Sequence, residues 1–327
     1  MTQLSTTSPV TSPGRLRMTP GRRVTLAIGV PLVLSLIGWA GFSLVALVGQ
    51  ASFPVSYAIP VHDGQVNVGL NGSNVTVFQG QGGTARLTGT VQYTFFRPAV
   101  TATMTTAGST QVAVDCHISV GNCGMNATLD VPARTALTAS TDGGDASVSG
   151  LDAPITLNLQ GGNLTASDLR GNLKLDTGGG DVSGSELTGD LVFATEGGNV
   201  TANDFQGDLQ LDTGGGDLSG SGMAGQVAVI TEGGNINENA VTAPTVTAQS
   251  GGGDVTLTFT QPPTNLQITA EGGNVTVVLP VGSTTYDIST PGTDGGNVSY
   301  PASLVSSSSP HVITINGGGG DINITQG

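Results

Sequence analysis

From residue 143 to the end of the chain, short segments of alternating apolar and polar residues are separated by glycine-rich turns. Each turn contains Gly-Gly-Asp or Gly-Gly-Asn, and the first glycines follow one another at steps of 18 five times, then 19, 20, 23 and 24. Every repeat holds two segments whose apolar residues lie two positions apart, as in Val200 and Ala202, then Leu209 and Leu211. A spacing of two is typical of strands that face one core. The pattern therefore predicts strands throughout this region.

A single repeat of this length cannot bury its own apolar face, whereas stacked repeats bury a continuous core. We therefore predict an all-β fold, a parallel β-solenoid with about 18 residues in each coil. Right-handed coiling is expected, because parallel strand crossovers have that hand. The predicted structural turn residues at the corners are Gly179, Gly180, Asp181, Gly197, Gly198, Asn199, Gly215, Gly216, Asp217, Gly233, Gly234 and Asn235. A coil of 36 residues, the distance between two Asp turns, is an alternative that the period alone leaves open.

The turns alternate between two versions. They read GGGD at 178–181, 214–217 and 251–254, and EGGN at 196–199, 232–235 and 271–274. Like charges directly opposite each other on neighbouring strands are destabilising. In an 18-residue coil the alternation keeps like carboxylates two coils apart, about 9.6 Å at the usual strand spacing. We predict that it dilutes negative charge along a stacked column, with Asn joining a hydrogen-bonded ladder in between.

Upstream of the repeats, residues 24–49 form an uncharged apolar run. The run is longer than the ~20 residues that cross a bilayer core. Four arginines precede it and none follows closely, which places the N-terminus in the cytoplasm by the positive-inside rule. We expect a single-pass membrane anchor, preceded by a disordered cytoplasmic tail at residues 1–23 and followed by an extracellular C-terminal domain. A buried core helix and a long cleaved signal are the alternatives.

Residues 50–140 also alternate with a period of two, but they lack the Gly-Gly turns. We expect an irregular β cap or N-terminal β domain there, ahead of the repeat solenoid at residues 141–327.

Charge separates the two ends of the chain: all 23 acidic residues follow the anchor, and residues 175–327 contain no Lys or Arg. Such a surface has no cations to replace the counterions of phosphates, which excludes a nucleic-acid partner.

The only two cysteines, Cys116 and Cys123, lie in the segment DCHISVGNCG. Outside the membrane an oxidised pair is expected, and residues 120–122 supply the turn that a hairpin bridge needs. Metal binding and a reactive thiol are alternatives, but only His117 is nearby and zinc sites use three or four ligands. We predict a disulfide between Cys116 and Cys123.

Candidate chemistry is sparse. Calcium-binding nonapeptide repeats place their glycines and aspartates at a different spacing, so specific calcium sites are a minor alternative and we predict no cofactor. A catalytic carboxylate pair should occur once, whereas the acids here recur down the stack. These acids, all expected to face solvent, are Asp176, Glu186, Asp190, Asp204, Asp208 and Asp212. The histidines His62, His117 and His311 are scattered. We expect no enzymatic activity, and a polysaccharide-active β-helix enzyme ranks last among three hypotheses about the function.

The strand–Gly-Gly–Asp/Asn units, together with the segments VPARTALTAS and GGNVTVVLPVG, resemble a known family. The chain is similar to the bacterial DUF4097 "putative adhesin" β-strand repeat proteins, in particular membrane-anchored actinobacterial members. The resemblance covers most of residues 60–300 and implies a parallel β-solenoid at the cell surface with no assigned enzymatic activity.

From this resemblance and the charge pattern we expect a non-enzymatic adhesion or scaffold protein that binds an envelope protein or polymer through a repetitive acidic solenoid. The alternative is a membrane-anchored envelope-stress or regulatory component that acts through a membrane partner, because some relatives are associated with envelope-stress systems.

Overall fold

The structure, a computed structural model, describes residues 50–94, 97–104, 110–115, 123–293 and 295–327. Residues 51–327 form one compact unit. The predicted tail at residues 1–23, the predicted anchor at residues 24–49, and Cys116 all lie outside the described residues, so the tail, the anchor and the Cys116–Cys123 bridge stay predictions. In the part of the chain that is described, no helix is both long enough and apolar enough to span a bilayer.

Almost all regular structure in the described residues is strand, and a short 3₁₀ helix spans Ala302–Leu304. In chain order the strands are β1 (Gln50–Ile59), β2 (Gln65–Asn71), β3 (Ser73–Gln79), β4 (Ala85–Thr94), β5 (Ala99–Met104), β6 (Thr110–Asp115), β7 (Cys123–Val131), β8 (Ala136–Thr141), β9 (Ala146–Ser149), β10 (Ile155–Leu159), β11 (Leu164–Arg170), β12 (Leu173–Thr177), β13 (Val182–Thr188), β14 (Leu191–Thr195), β15 (Val200–Gln206), β16 (Leu209–Thr213), β17 (Leu218–Ala224), β18 (Gln226–Thr231), β19 (Ile236–Val241), β20 (Thr245–Ser250), β21 (Val255–Phe259), β22 (Asn265–Ala270), β23 (Val275–Leu279), β24 (Asp287–Ser289), β25 (Val298–Ser299), β26 (Val312–Asn316) and β27 (Ile322–Gln326).

The strands form two long sheets that enclose one hydrophobic core. The first sheet has the order β1-β4-β7-β3-β9-β11-β13-β15-β17-β19-β21-β23-β27-β25, and the second has the order β24-β26-β22-β20-β18-β16-β14-β12-β10-β8-β2-β6-β5. From β9 to β23 the chain alternates between the sheets, so each coil adds one parallel strand to each of them. This architecture is a parallel β-solenoid, and the predicted fold class is confirmed.

The coil is 18 residues long in the regular part of the stack. Val182 of β13 pairs with Val200 of β15, and Leu191 of β14 pairs with Leu209 of β16. Residues one repeat apart are therefore direct neighbours, which excludes the alternative coil of 36 residues. Each coil consists of a strand in the first sheet, a glycine corner such as Gly189, a strand in the second sheet and a Gly-Gly turn.

The alternating pattern of the sequence decides which side chains enter the core. Strand β14 buries Leu191 and Phe193 and exposes Val192 between them. At the corner, Gly189 has a φ of 132°, a left-handed conformation that L side chains rarely adopt. The same positive φ recurs one coil away at Gly207. Strand alternation and corner glycines together make the coil repeat without a change of register.

Both ends of the stack depart from chain order. At the start, β3 lies between β7 and β9, and β2 lies between β6 and β8, with the antiparallel strands β4 and β5 further out. Strands β1 to β8 thus extend the same two sheets as the repeats. At the other end, β27 lies between β23 and β25, and β26 lies between β22 and β24. The final coil of the chain, β26 and β27, is therefore inserted between the repeats and the preceding strands β24 and β25.

Candidate functional site

The Gly-Gly turns stack directly over one another, and a buried hydroxyl ties each turn to the one before it. Thr195 Oγ1 donates a hydrogen bond to the carbonyl oxygen of Gly180 in the preceding coil, at 3.4 Å. The same hydroxyl accepts a hydrogen bond from the backbone N–H of Gly198 in its own turn, at 3.2 Å. Thr213 and Thr231 make the equivalent pair of bonds one and two coils further on.

The two glycines of each turn have different surroundings. A Cβ built on Gly198 would collide with the carbonyl group of Gly180 in the coil beside it, whereas a Cβ on Gly197 would meet nothing within 4 Å. The predicted turn glycines Gly180, Gly216 and Gly234 share the crowded environment of Gly198. Stacking at this distance therefore demands glycine at the second position and tolerates a side chain at the first.

The residue after the glycines forms a continuous hydrogen-bonded ladder, which we call the amide–carboxylate ladder. At each step, the backbone N–H of one member donates to the side-chain oxygen of the member beside it, with N···O distances from 2.7 to 3.0 Å. In spatial order its members are Asn74, Asp145, Asn163, Asp181, Asn199, Asp217, Asn235, Asp254, Asn274, Asp321 and Asn297.

Asn and Asp alternate at every step of this ladder. Asn235 shows the chemistry: its Nδ2 and its backbone N–H both donate to Asp217 Oδ1, at 3.0 and 2.8 Å, and its own Oδ1 accepts from the N–H of Asp254. An aspartate in place of Asn235 would lack the side-chain donor and would bring a third carboxylate into the row. Like carboxylates in the ladder are thereby held two coils apart, about 9.6 Å at the usual strand spacing.

Other columns of the solenoid carry acids on adjacent coils. Asp168, Glu186 and Asp204 occupy equivalent positions in β11, β13 and β15, and all three are exposed with φ values of 48°, 55° and 54°. Arg170 lies 3.6 Å from Asp168 as an exposed ion pair. The six acids that the sequence predicts to face solvent are all exposed. The sequence pattern did not reveal that Asp168, Glu186 and Asp204 stack in one column and that each has a left-handed backbone conformation. We call them the left-handed acidic column.

Between the ladder and this acidic column, the outer face of the first sheet carries neither charge nor a large side chain on β9, β11, β13, β15, β17 and β19, whereas the neighbouring strand β3 exposes Phe78. We call this surface the neutral strip; it consists of Ser147, Ser149, Thr165, Ser167, Ser183, Ser185, Thr201, Asn203, Ser219, Ser221, Asn237 and Asn239. Ser221 Oγ donates to Asn203 Oδ1 at 2.9 Å, so neighbouring coils also bond along the strip. Six strands contribute to it, and five strand spacings correspond to a length of about 24 Å.

A buried acid interrupts the core. Glu238 of β19 is 1% exposed, and neither carboxylate oxygen has a hydrogen-bond partner. Burial raises the pKa of Glu238 from 4.5 to about 8. In the two preceding coils, the equivalent inward position is occupied by Ala202 and Gly220. The alternation of Ile236, Glu238 and the residues around them could have predicted this burial, because it places residue 238 on the inward face.

The remaining candidates do not converge. His62 pairs with Gln65 next to β2, whereas His311 Nδ1 lies 2.7 Å from the carbonyl oxygen of Pro263 at the other end of the stack. Cys123 begins β7. Within the described ranges, no three His, Cys, Asp or Glu side chains lie close enough together to hold a metal ion. An open depression of about 380 Å³ beside the turns includes Asp142, Asp176 and Glu196 in its lining.

These features define a class: an all-β parallel solenoid whose coils are joined by stacked Gly-Gly turns. The Toastrack DUF4097 family profile matches residues 65–325, and the chain belongs to this family. The DUF4097 resemblance expected from the sequence is confirmed, whereas the membrane-anchored actinobacterial type stays a prediction. A search of curated proteins finds no match.

Three solved structures are among those to which the chain is similar. One, described as a putative cell adhesion protein from Clostridium sporogenes ATCC 15579, is 11% identical, with a TM-score of 0.21, 85% of this chain and 100% of that chain covered. A second, a putative adhesin from Parabacteroides merdae ATCC 43184, is 11% identical, with a TM-score of 0.27, 85% and 96% covered. A third, a putative lipid binding protein from Parabacteroides distasonis ATCC 8503, is 14% identical, with a TM-score of 0.30, 84% and 96% covered.

Proposed function

We propose that the chain is a non-catalytic adhesion or scaffold module displayed at the cell surface, and that its neutral strip binds an uncharged polysaccharide of the cell envelope. Residues 24–49 would tether it to the membrane as a single-pass anchor, with the solenoid outside. A disulfide between Cys116 and Cys123 would suit that oxidising location.

The observation that carries the proposal is the contrast between the neutral strip and the columns beside it. The strip presents hydroxyl and amide groups, such as those of Thr201 and Asn203, which both donate and accept hydrogen bonds. The ladder and the left-handed column on its two sides carry carboxylates, among them Asp181 and Glu186. A hydroxyl-rich neutral polymer can bond to the strip, whereas a polyanion would be repelled from both sides.

The repetition of the surface supports a polymer rather than a small molecule. Equivalent side chains return at every coil, as Ser183, Thr201 and Ser219 do, so one binding unit is repeated along the stack. Weak bonds at several coils add together when the ligand also repeats, which gives avidity without a deep pocket. The exposed acids recur in the same way, which is unlike a catalytic pair that occurs once.

The test compares binding of the full chain, in mild detergent, to insoluble uncharged and insoluble acidic polysaccharides. Thr201→Glu places a charge in the middle of the strip. Thr247→Glu makes the same change on the outer face of the second sheet, where Thr247 lies between Ala228 and Gln267, and serves as the matched control. We expect Thr201→Glu to weaken binding to the uncharged polymer about tenfold, the loss of one good hydrogen-bonded contact, and Thr247→Glu to leave it unchanged.

Cells that display the same variants extend the test. Attachment should fall with Thr201→Glu and persist with Thr247→Glu. Equal binding by both variants, or preference for the acidic polymer, would contradict the proposal. Unchanged attachment together with an altered envelope-stress response on deletion of the gene would favour the regulatory role instead.

A further inference from the structure

Glu238 has no part in the proposed binding surface, and its environment is unfavourable for a charge. In its own sheet it lies between Gly220 on one side and Leu257 on the other. The missing side chain of Gly220 leaves space that the carboxyl group occupies, since a Cβ there would lie 2.8 Å from Glu238 Oε2. A carboxylate that is buried without partners is strongly disfavoured relative to the neutral acid.

No charged group faces Glu238 from the strands packed around it. In the first sheet, β17 and β21 present Leu218, Gly220, Met223, Val255, Leu257 and Phe259 to the core. In the second sheet, β18 and β20 present Val227, Val229, Thr231, Val246, Ala248 and Ser250. None of these side chains titrates, so only the proton on Glu238 itself can neutralise it.

Strand β19 is also irregular at this point. Ala240 has a φ of 52° at the position that Glu186 and Asp204 occupy in their coils, so the left-handed residue recurs, but here the register of β19 against β21 also shifts between Glu238 and Val241. Such a bulge disrupts the hydrogen-bonded ladder locally, and a non-glycine residue in this conformation is strained. The buried acid and the bulge therefore coincide in one coil, which is a combination that favours local opening.

We propose that Glu238 and the adjacent bulge make the coil of β19 a pH-dependent opening point, which exposes the core more often as the pH rises. This device goes beyond the proposed binding function and does not depend on it.

The direction follows from the burial of the acid. The pKa of Glu238 is raised to about 8 in the closed coil, and hydration in the open coil returns it to its ordinary value of 4.5. The stability that the neutral acid contributes is fully present below the ordinary pKa and is lost as the pH rises towards the raised one. Over that window the opening constant should rise about tenfold per pH unit, because opening releases one proton, and it should level off above it.

Hydrogen exchange of the full chain in mild detergent measures this opening directly. Exchange of β19 peptides is followed from about pH 5 to about pH 8 and corrected for the intrinsic pH dependence of amide exchange. We expect the corrected opening constant to rise about tenfold per pH unit in the natural chain. With Glu238→Gln, which cannot release the proton, the corrected opening constant should not change with pH.

Two further variants make the result decisive. Glu232→Gln removes an exposed acid from the preceding turn and should keep the full slope. Glu238→Ala installs the residue type found at Ala202 in the same column, and should remove the slope if the glutamine variant folds poorly. A natural chain without the slope, or a slope that survives in Glu238→Gln or Glu238→Ala, would overturn the proposal.

Discussion

The side-chain oxygen of Asn274 accepts a hydrogen bond of 3.0 Å from the backbone N–H of Asp321, which lies 47 residues further along the chain. Asp321 in turn accepts hydrogen bonds from the backbone and Nδ2 of Asn297. In chain order Asn274 is followed by Asn297, so the strict alternation of amide and carboxylate is broken there. In space the inserted Asp321 restores it, which indicates that the alternation belongs to the stacked structure rather than to the repeat unit.

The first prediction concerns the middle of the amide–carboxylate ladder. Asn235→Asp would place three carboxylates on consecutive coils and remove the Nδ2 donor to Asp217. We expect a loss of about 1–3 kcal/mol in the free energy of unfolding at neutral pH, because charge repulsion adds to a lost hydrogen bond. Urea denaturation at low and high salt checks this, since screening should reduce part of the loss.

The control for the ladder is Asn265→Asp, which adds the same charge beside the uncharged residues Thr245 and Val312. This variant should change the free energy of unfolding by less than about 0.5 kcal/mol, as surface substitutions usually do. Equal losses for Asn235→Asp and Asn265→Asp would show that the position in the ladder is unimportant.

A second prediction separates the two glycines of one turn. Gly198→Ala would drive its methyl group into the carbonyl group of Gly180, whereas Gly197→Ala would point into open space. The first should cost about 2–3 kcal/mol through overpacking, and the second should be close to neutral. Thermal unfolding of the two variants side by side tests the stacking distance, and similar melting temperatures would contradict it.

A third prediction addresses the left-handed acidic column. Glu186→Gly relieves a non-glycine residue with a φ of 55° and removes the central charge between Asp168 and Asp204. We expect the free energy of unfolding to rise by about 1 kcal/mol, the approximate penalty for a left-handed L residue.

Glu196→Gly deletes the same side chain at an exposed turn position and is the control for this column. It should bring no gain, because glycine also increases the entropy of the unfolded chain. Chemical denaturation of both variants distinguishes backbone strain from charge, and a gain of equal size at Glu196 would assign the effect to charge alone.

A fourth prediction concerns the inserted final coil. A chain that ends at residue 311 lacks β26 and β27, which are the paired neighbours of β24 and β25. Amides of β24 and β25 should lose their protection from hydrogen exchange, while those of β13 and β14 keep it. Retained protection in β24 and β25 would mean that the end coil can stack without the insert. A chain that lacks only Gly327 provides the control.

The regular part of the fold could be predicted because its determinants are local. The alternation in a segment such as Leu191 to Phe193 specifies a strand and its inward face, and the recurrence of the pattern after 18 residues specifies the coil. The confirmed solenoid rests on these two signals. These signals act over a few residues and recur in many coils, so each coil supports the same prediction.

The order of coils at the two ends could not be predicted in the same way. Steps of 23 and 24 residues around Gly295 and Gly319 fit either serial stacking or insertion, because both use strands of the same pattern. The choice depends on which strands Ile322 and Val298 pair with, and such pairs join residues that are far apart in the chain. The left-handed backbone at Glu186 leaves a trace in the sequence, because the inward residues of β13 are Val182, Gly184 and Leu187, where a step of three replaces the step of two.

The alternation of Asn199 with Asp181 and Asp217 has a consequence for how such arrays can lengthen or shorten. Removing one coil would bring Asp181 against Asp217, whereas removing or duplicating a pair of coils leaves every junction between unlike partners. Insertions and deletions that preserve the alternation therefore come in units of 36 residues, which is twice the structural period. We expect recombination to change the number of coils in related proteins by even numbers.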